Sequence, residues 1–182
     1  MPIEPYRGVY PTIDPTAYVH PSAVIIGDVH IGAYSSIWPG VVIRGDVNFI
    51  RIGARSNIQD GSILHVTRPT PEQPQGIPLL IGDDVTIGHQ VSLHACHLHA
   101  RSMIGIGAIV LDGVVVEEEA MVGAGSLVAP GKRVLSGELW LGSPAKAVRI
   151  LDDKARRAIA ATTENYVRLG LEYGQTTAEK PQ

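Results

Sequence analysis

Aliphatic residues recur every six positions along most of this chain, and that period constrains the fold more than any other feature. Ile13, Val19, Ile25, Ile31, Ile37 and Ile43 hold one register without a break. Ile52, Ile58 and Leu64 form a second run, and Ile81, Ile87 and Leu93 a third. The fourth is the longest: Leu98, Ile104, Val110, Val116, Val122, Val128 and Val134. A helix repeats near 3.6 residues and a half-buried strand near two, so neither accounts for a period of six. An ordinary β-sandwich shows turn signals at similar spacing but does not keep one register over so many units. Hexapeptide repeats mark a parallel β-helix, in which each unit is a short strand plus a corner and three units close a triangular coil of roughly eighteen residues. Glycine often follows the aliphatic residue, as in Ile31-Gly32 and Ile104-Gly105, where the backbone has to turn. An aromatic content of 5% with 20 glycines suits many tight corners and few bulky core residues.

The register breaks three times. The spacing is nine positions from Ile43 to Ile52, seventeen from Leu64 to Ile81, and only five from Leu93 to Leu98. The largest excess falls in residues 66–80, where Pro69, Pro71, Pro74, Gly76 and Pro78 predict a loop extruded from the coil. After Val134 the pattern stops. Leu141 to Lys146 reads as a turn, Asp152 as a helix N-cap, and Asp153 as a first-turn acid opposing the helix dipole. Ala155, Ile159, Thr162, Tyr166, Leu169 and Tyr173 share one helical face. The predicted architecture is mainly β. A parallel β-helix spans 1–140, a turn and a C-terminal α-helix packed on it span 141–173, and a polar tail spans 174–182.

Charge and cysteine usage narrow the partners. A net charge of −3 argues against a general nucleic-acid or anionic-membrane binder. Cys96 is the only cysteine, so no intrachain disulfide forms and a reducing compartment is expected. No apolar run spans a bilayer, and the N-terminus has no signal-peptide pattern. The expected setting is cytoplasmic.

Residues one coil apart stack about 4.8 Å from each other, so the register predicts which polar side chains meet. Correcting for the breaks, Leu64 lies above Ile43 and Leu93 above Leu64. Arg44, His65 and His94, which follow them, therefore form one column. Asp60 and His89 form a second, one hexapeptide earlier. Two stacked imidazoles can share a metal, but a catalytic zinc usually takes three protein ligands and keeps an open position. His89 is the natural third ligand, yet it stands about one triangle edge from His94. A homotrimer resolves this: the Arg44/His65/His94 column of one subunit faces the Asp60/His89 column of the next. Arg44 then opposes Asp60 in an intersubunit ion pair that fixes register more than it adds stability. His97 and His99 cross the one-residue slip and read as decoys, together with Cys96. His20 and His30 read as surface residues.

Arg44-Gly45-Asp46, Asn57-Ile58-Gln59-Asp60, His65 and the run from His89 to His94 resemble the pattern of the gamma-class carbonic anhydrases. The likeness continues through Leu141-Gly142-Ser143-Pro144-Ala145-Lys146 to Asn165-Tyr166-Val167 and covers nearly the whole chain. The resemblance implies a left-handed β-helix and a homotrimer with three interfacial metal sites. It implies His65 and His94 from one subunit and His89 from the next, with Arg44 paired to Asp60 and Asp46 supporting the interface. It also implies Gln59 beside the metal-bound solvent, and Tyr166 near the active site or packing the helix on the wall. The implied activity is reversible hydration of CO2 to bicarbonate by a metal-bound hydroxide, with Zn2+ or alternatively Fe2+ or Co2+, and no organic cofactor.

The chain departs from the family archetype in two places. Val47 stands where a glutamate follows the Arg-Gly-Asp aspartate, and the acidic proton-shuttle loop is missing, since Glu72 is the only acid of residues 66–80. Rapid hydration needs proton export, so metal binding is the firmer expectation and turnover could be weak. The alternatives are a metal-dependent esterase or thioesterase, a hexapeptide acyltransferase, and a non-catalytic trimeric metal-binding scaffold.

Overall fold

The structure, a computed structural model, describes residues 2–178, with side chains to Gln175. Every aliphatic residue of the six-residue register lies in one of three inward columns. On the first wall Ile25, Ile43, Leu64, Leu93, Val110 and Val128 stack in parallel pairing. On the second, Ile13, Ile31, Ile52, Ile81, Leu98, Val116 and Val134 stack. On the third, Val19, Ile37, Ile58, Ile87, Ile104 and Val122 stack, ending on Trp140. The fold is a parallel β-solenoid of hexapeptide repeats, with nearly all of these side chains buried in one continuous core. The coils approach so closely at the corners that a Cβ on Gly105 would lie 2.5 Å from the backbone nitrogen of Ala124.

The register breaks take definite shapes. The nine-residue interval is one strand, Val42–Ile52, which rounds a corner and pairs with the first wall at one end and the second at the other. The predicted loop of residues 66–80 begins with buried Val66 and ends inside strand Leu79–Ile81. Its legs are pinned by two backbone hydrogen bonds between Thr67 and Ile77, each 3.0 Å. Asn48 reaches over from the long strand and donates from Nδ2 to the carbonyls of Thr67 and Gln75. Gly76 has φ +60°, and a Cβ there would meet the Thr67 carbonyl oxygen at 2.4 Å, so this leg tolerates only glycine.

Two boundaries and one helical face differ from the sequence reading. Residues 141–146 are not simply a turn after a finished solenoid. Strand Glu138–Gly142 adds to the third wall, and Ala145–Ile150 folds back on it antiparallel. The returning arm is exposed beyond Ala145, so it has no inward residue to extend the period. The helix, α1 (Asp153–Ala178), also runs past the predicted end at Tyr173. Tyr173 packs on Trp38 and Tyr18, which holds the turn that polarity alone predicted to be tail. The last four tail residues lie outside the described ones. Finally, the buried stripe of α1 is Ile159, Thr163, Val167 and Gly170. It is rotated by about one position from the predicted face, leaving Thr162, Tyr166 and Leu169 half-buried at its edge. The cap is as expected: Asp152 Oδ1 accepts from the Ala155 backbone N–H at 2.8 Å. Ion pairs of Arg55 with Asp84 and Glu164, and of Arg156 with Glu119, tie α1 to the third wall.

Candidate metal centre

Strands Ile63–His65 and Ser92–His94 pair in parallel, with His65 opposite His94. Because Leu64 and Leu93 point into the core, both imidazoles point outward on the same face. His65 Nδ1 stands 3.2 Å from His94 Nε2. The far nitrogen of each ring meets a carboxylate: His65 Nε2 lies 2.9 Å from Asp46 Oδ1, and His94 Nδ1 lies 2.6 Å from Asp112 Oδ1. Both carboxylates are ionised at neutral pH. Burial raises the Asp46 carboxyl, but hydrogen bonds from His65 and Arg44 outweigh it and hold the group below its ordinary range. Burial likewise raises Asp112, and hydrogen bonds from Thr67 and His94 outweigh it.

These contacts fix where the ring protons sit. An ionised carboxylate only accepts, so the nitrogen facing it carries the hydrogen. In neutral rings, His65 Nδ1 and His94 Nε2 are then both lone-pair nitrogens, aimed at each other. Two acceptors at 3.2 Å cannot bond to each other and need a cation between them, a proton or a metal ion. Two nitrogens bound to one tetrahedral zinc at ~2.0–2.1 Å stand about 3.3 Å apart. The pair therefore fits a shared divalent metal, and the carboxylate behind each ring is the usual outer support of a metal-bound histidine.

His89 occupies the second column on the third wall. Its Nδ1 lies 2.8 Å from Asp60 Oδ2, so the proton again faces a carboxylate and Nε2 is left as the ligand atom. Among the described residues no three His, Cys, Asp or Glu side chains of one chain converge on a metal position. Arg44 pairs with Asp46 in its own chain, and Asp60 with His89, so Arg44 and Asp60 do not meet within one subunit. Gln59 is buried and donates from Nε2 to Asn57 Oδ1 at 3.0 Å. The ladder continues from Asn57 to Thr86, and from Thr86 to Thr163 on α1. Tyr166 packs edge-on against Trp38 at 5.5 Å and lines an open cleft with Asp60, Leu169, Tyr173 and His20. Burial, and then the Asp60 charge, push its hydroxyl pKa up, so the hydroxyl stays protonated.

Asp112 and its partner Thr67 were not found from the sequence. The five-residue interval between Leu93 and Leu98 places Leu111, not Asp112, in register with His94, so column arithmetic passes over it. His97 and His99 project from the second wall and stack face to face at 4.1 Å.

Fold and site together define a hexapeptide-repeat solenoid that carries a paired-histidine site with carboxylates behind the rings. Residues 10–45 match the family model "Bacterial transferase hexapeptide (six repeats)". The chain is 49% identical to Protein YrdA of Escherichia coli over 94% of its own length and 93% of that protein. It is 48% identical to gamma carbonic anhydrase 2 of Arabidopsis thaliana mitochondria over 87% of its length, and the match spans 57% of that plant protein. Among solved structures, a hexapeptide transferase family protein from Anaplasma phagocytophilum superposes with a TM-score of 0.88 at 44% identity, covering 94% of this chain and 98% of that one. The chain belongs to the gamma-carbonic-anhydrase-like family of hexapeptide-repeat proteins.

Proposed function

We propose that this protein is a metal-dependent, carbonic-anhydrase-like enzyme that interconverts CO2 and bicarbonate at sites shared between the subunits of a homotrimer. The observation that carries the proposal is the pair of lone-pair nitrogens on His65 and His94, 3.2 Å apart with their tautomers set by Asp46 and Asp112. His65 and His94 of one subunit and His89 Nε2 of the next would hold the metal, with Zn2+ the best match and Fe2+ or Co2+ compatible. Such an ion, bound by neutral imidazoles, lowers the pKa of a coordinated water to near 7 in the best-known case. Gln59, beside Asp60 in the chain and with its Nε2 committed to Asn57, would hold solvent through its amide oxygen, and Tyr166 offers a protonated hydroxyl to the cleft. The loop offers a single acid, Glu72, and Val47 offers none, which points to slow turnover or to export through buffer.

The outer face of the first wall supports self-association. Val24, Val42, Ile63, Ser92, Ile109 and Leu127 stack in register on it. Ile63 is 52% exposed and Ile109 37% exposed in the single chain. The column runs beside Arg44, His65 and His94, so covering it with a neighbouring subunit would close the site. Arg44 would then reach Asp60 of that neighbour.

The likeness to a hexapeptide transferase family protein favours acyl transfer as the second reading. The same site could also attack an activated ester. The deciding experiment measures metal per subunit, mass in solution and CO2 hydration for the wild type and for His89→Ala. About one zinc per subunit, a species of three times 19.4 kDa, and hydration lost in the variant are expected. A metal-loaded trimer that hydrates no CO2 but hydrolyses esters would shift the assignment to the hydrolase. Acyl transfer that survives chelation would shift it to the transferase, and a metal-loaded trimer inert to every substrate would leave a scaffold.

A further inference from the structure

Each histidine of the proposed centre is backed by a carboxylate, and the three carboxylates are held differently. Asp46 is gripped by its own strand, through Arg44 and the backbone N–H of Val47. Asp60 faces the open cleft beside Tyr166. Asp112 alone is held by the extruded loop: the Thr67 hydroxyl donates to Asp112 Oδ2 while Oδ1 accepts from His94 Nδ1–H. Thr67 is the first residue of the loop leg. Its backbone pairs with Ile77, and its carbonyl accepts from Asn48.

We propose that Asp112 is a positioning residue for His94, and that Thr67 makes the base of the extruded loop part of the ligand-orienting apparatus. The inference rests on the metal reading above and deepens it. With both carboxylate oxygens engaged, Asp112 cannot rotate away, and His94 is held as the Nδ1–H tautomer with its Nε2 lone pair toward His65. Without that acceptor the ring is free to carry its proton on Nε2, which lies 3.2 Å from His65 Nδ1. A direct His94–His65 hydrogen bond would then occupy both ligand nitrogens. Asp112 thus acts by preventing two ligands from satisfying each other, and the loop, 45 residues earlier in the chain at Thr67, keeps it in place.

The test uses Asp112→Leu, Asp112→Asn and Thr67→Val in the full chain, with folding checked by circular dichroism. Imidazole nitrogen NMR on zinc-free protein, at a pH where the rings are neutral, reads the His94 tautomer. Chelator competition reads zinc affinity. Asp112→Leu is expected to move His94 toward Nε2–H and to weaken zinc about 10- to 100-fold, as loss of an outer partner does elsewhere. Asp112→Asn, whose amide oxygen still accepts, should restore the tautomer and much of the affinity. Thr67→Val should shift both readouts the same way by a smaller factor, and it serves alone if Asp112→Leu does not fold. A folded Asp112→Leu with the wild-type tautomer and unchanged zinc affinity would overturn the proposal. Should the wild type take up no zinc, an inverted tautomer in Asp112→Leu would still support the positioning role, and only the metal reading would fall.

Discussion

Two pairs of histidines project from this solenoid only a few residues apart, and they could hardly be more differently prepared. His65 and His94 come from neighbouring coils, each with one nitrogen on a carboxylate and the other aimed at its partner. His97 and His99 come from one strand end, stacked ring on ring with 22° between planes. They flank buried Leu98 and lie near Arg133, which pairs with Glu117 at 2.8 Å. Histidine content does not separate the pairs. What separates them is the presence of an acceptor behind each ring, which decides whether two lone pairs converge.

The largest expected effect breaks the first pair. His94→Ala should reduce zinc content from about one per subunit to background, whereas the double variant His97→Ala/His99→Ala should keep it. Elemental analysis after dialysis reads the difference, and equal loss from both proteins would erase the distinction. Next come the residues beneath the pairs. Leu64, under His65, and Leu98, between His97 and His99, are both fully buried. Either leucine changed to alanine should cost about 2–5 kcal/mol, measured by urea unfolding, because the two pairs share one core and differ only outside it. If only Leu64→Ala proved costly, the walls would not be equivalent. A smaller effect is expected for Asp46→Ala, which removes the acceptor behind His65 and should lower zinc affinity about 10- to 100-fold. Affinity unchanged within error would show that the carboxylate is there for Arg44 alone.

The smallest effect belongs to the second pair. Burial, then the neighbouring His99 and Arg133, hold the His97 imidazole below its ordinary value near 6.5. The unfolded chain therefore binds a proton there before the folded one does. Stability should fall as pH drops below about 6.5 and level off once the folded ring protonates. His97→Gln should flatten that slope in urea midpoints taken across the range; an unaltered slope would mean that the ring does not sense its surroundings.

Much of this was legible because a solenoid turns sequence distance into spatial contact by a fixed rule. The rule placed His65 under His94 and Asp60 under His89, although Ile81 comes seventeen positions after Leu64. It failed where the chain leaves the rule. Asp112 escaped because the short interval after Leu93 shifts the column by one residue. The hairpin arm Ala145–Ile150 escaped because an exposed antiparallel strand carries no inward aliphatic residue. The buried helical stripe was misplaced by about one position because Thr163 and Gly170, not larger apolar residues, make the closest approach to the wall. A Cβ on Gly170 would lie 3.2 Å from that of Ser36.

The regular stretch from Leu98 to Val134 has a further consequence. Its coils are interchangeable in outline, and the part of the stretch that reaches back to the inserted loop and to the paired histidines is Asp112, through Thr67 and His94. Duplicating eighteen residues within it would lengthen the rod by about 4.8 Å and carry the terminal hairpin outward. The phase of every residue before the duplication would stay the same. Beyond Asp112, length and the paired-histidine chemistry are therefore separate variables, whereas Tyr166 would move with α1. Asp112 is where they divide: before it, one residue more or less would rotate a ligand or its support out of its column, while after it whole turns could be added like links at the end of a chain.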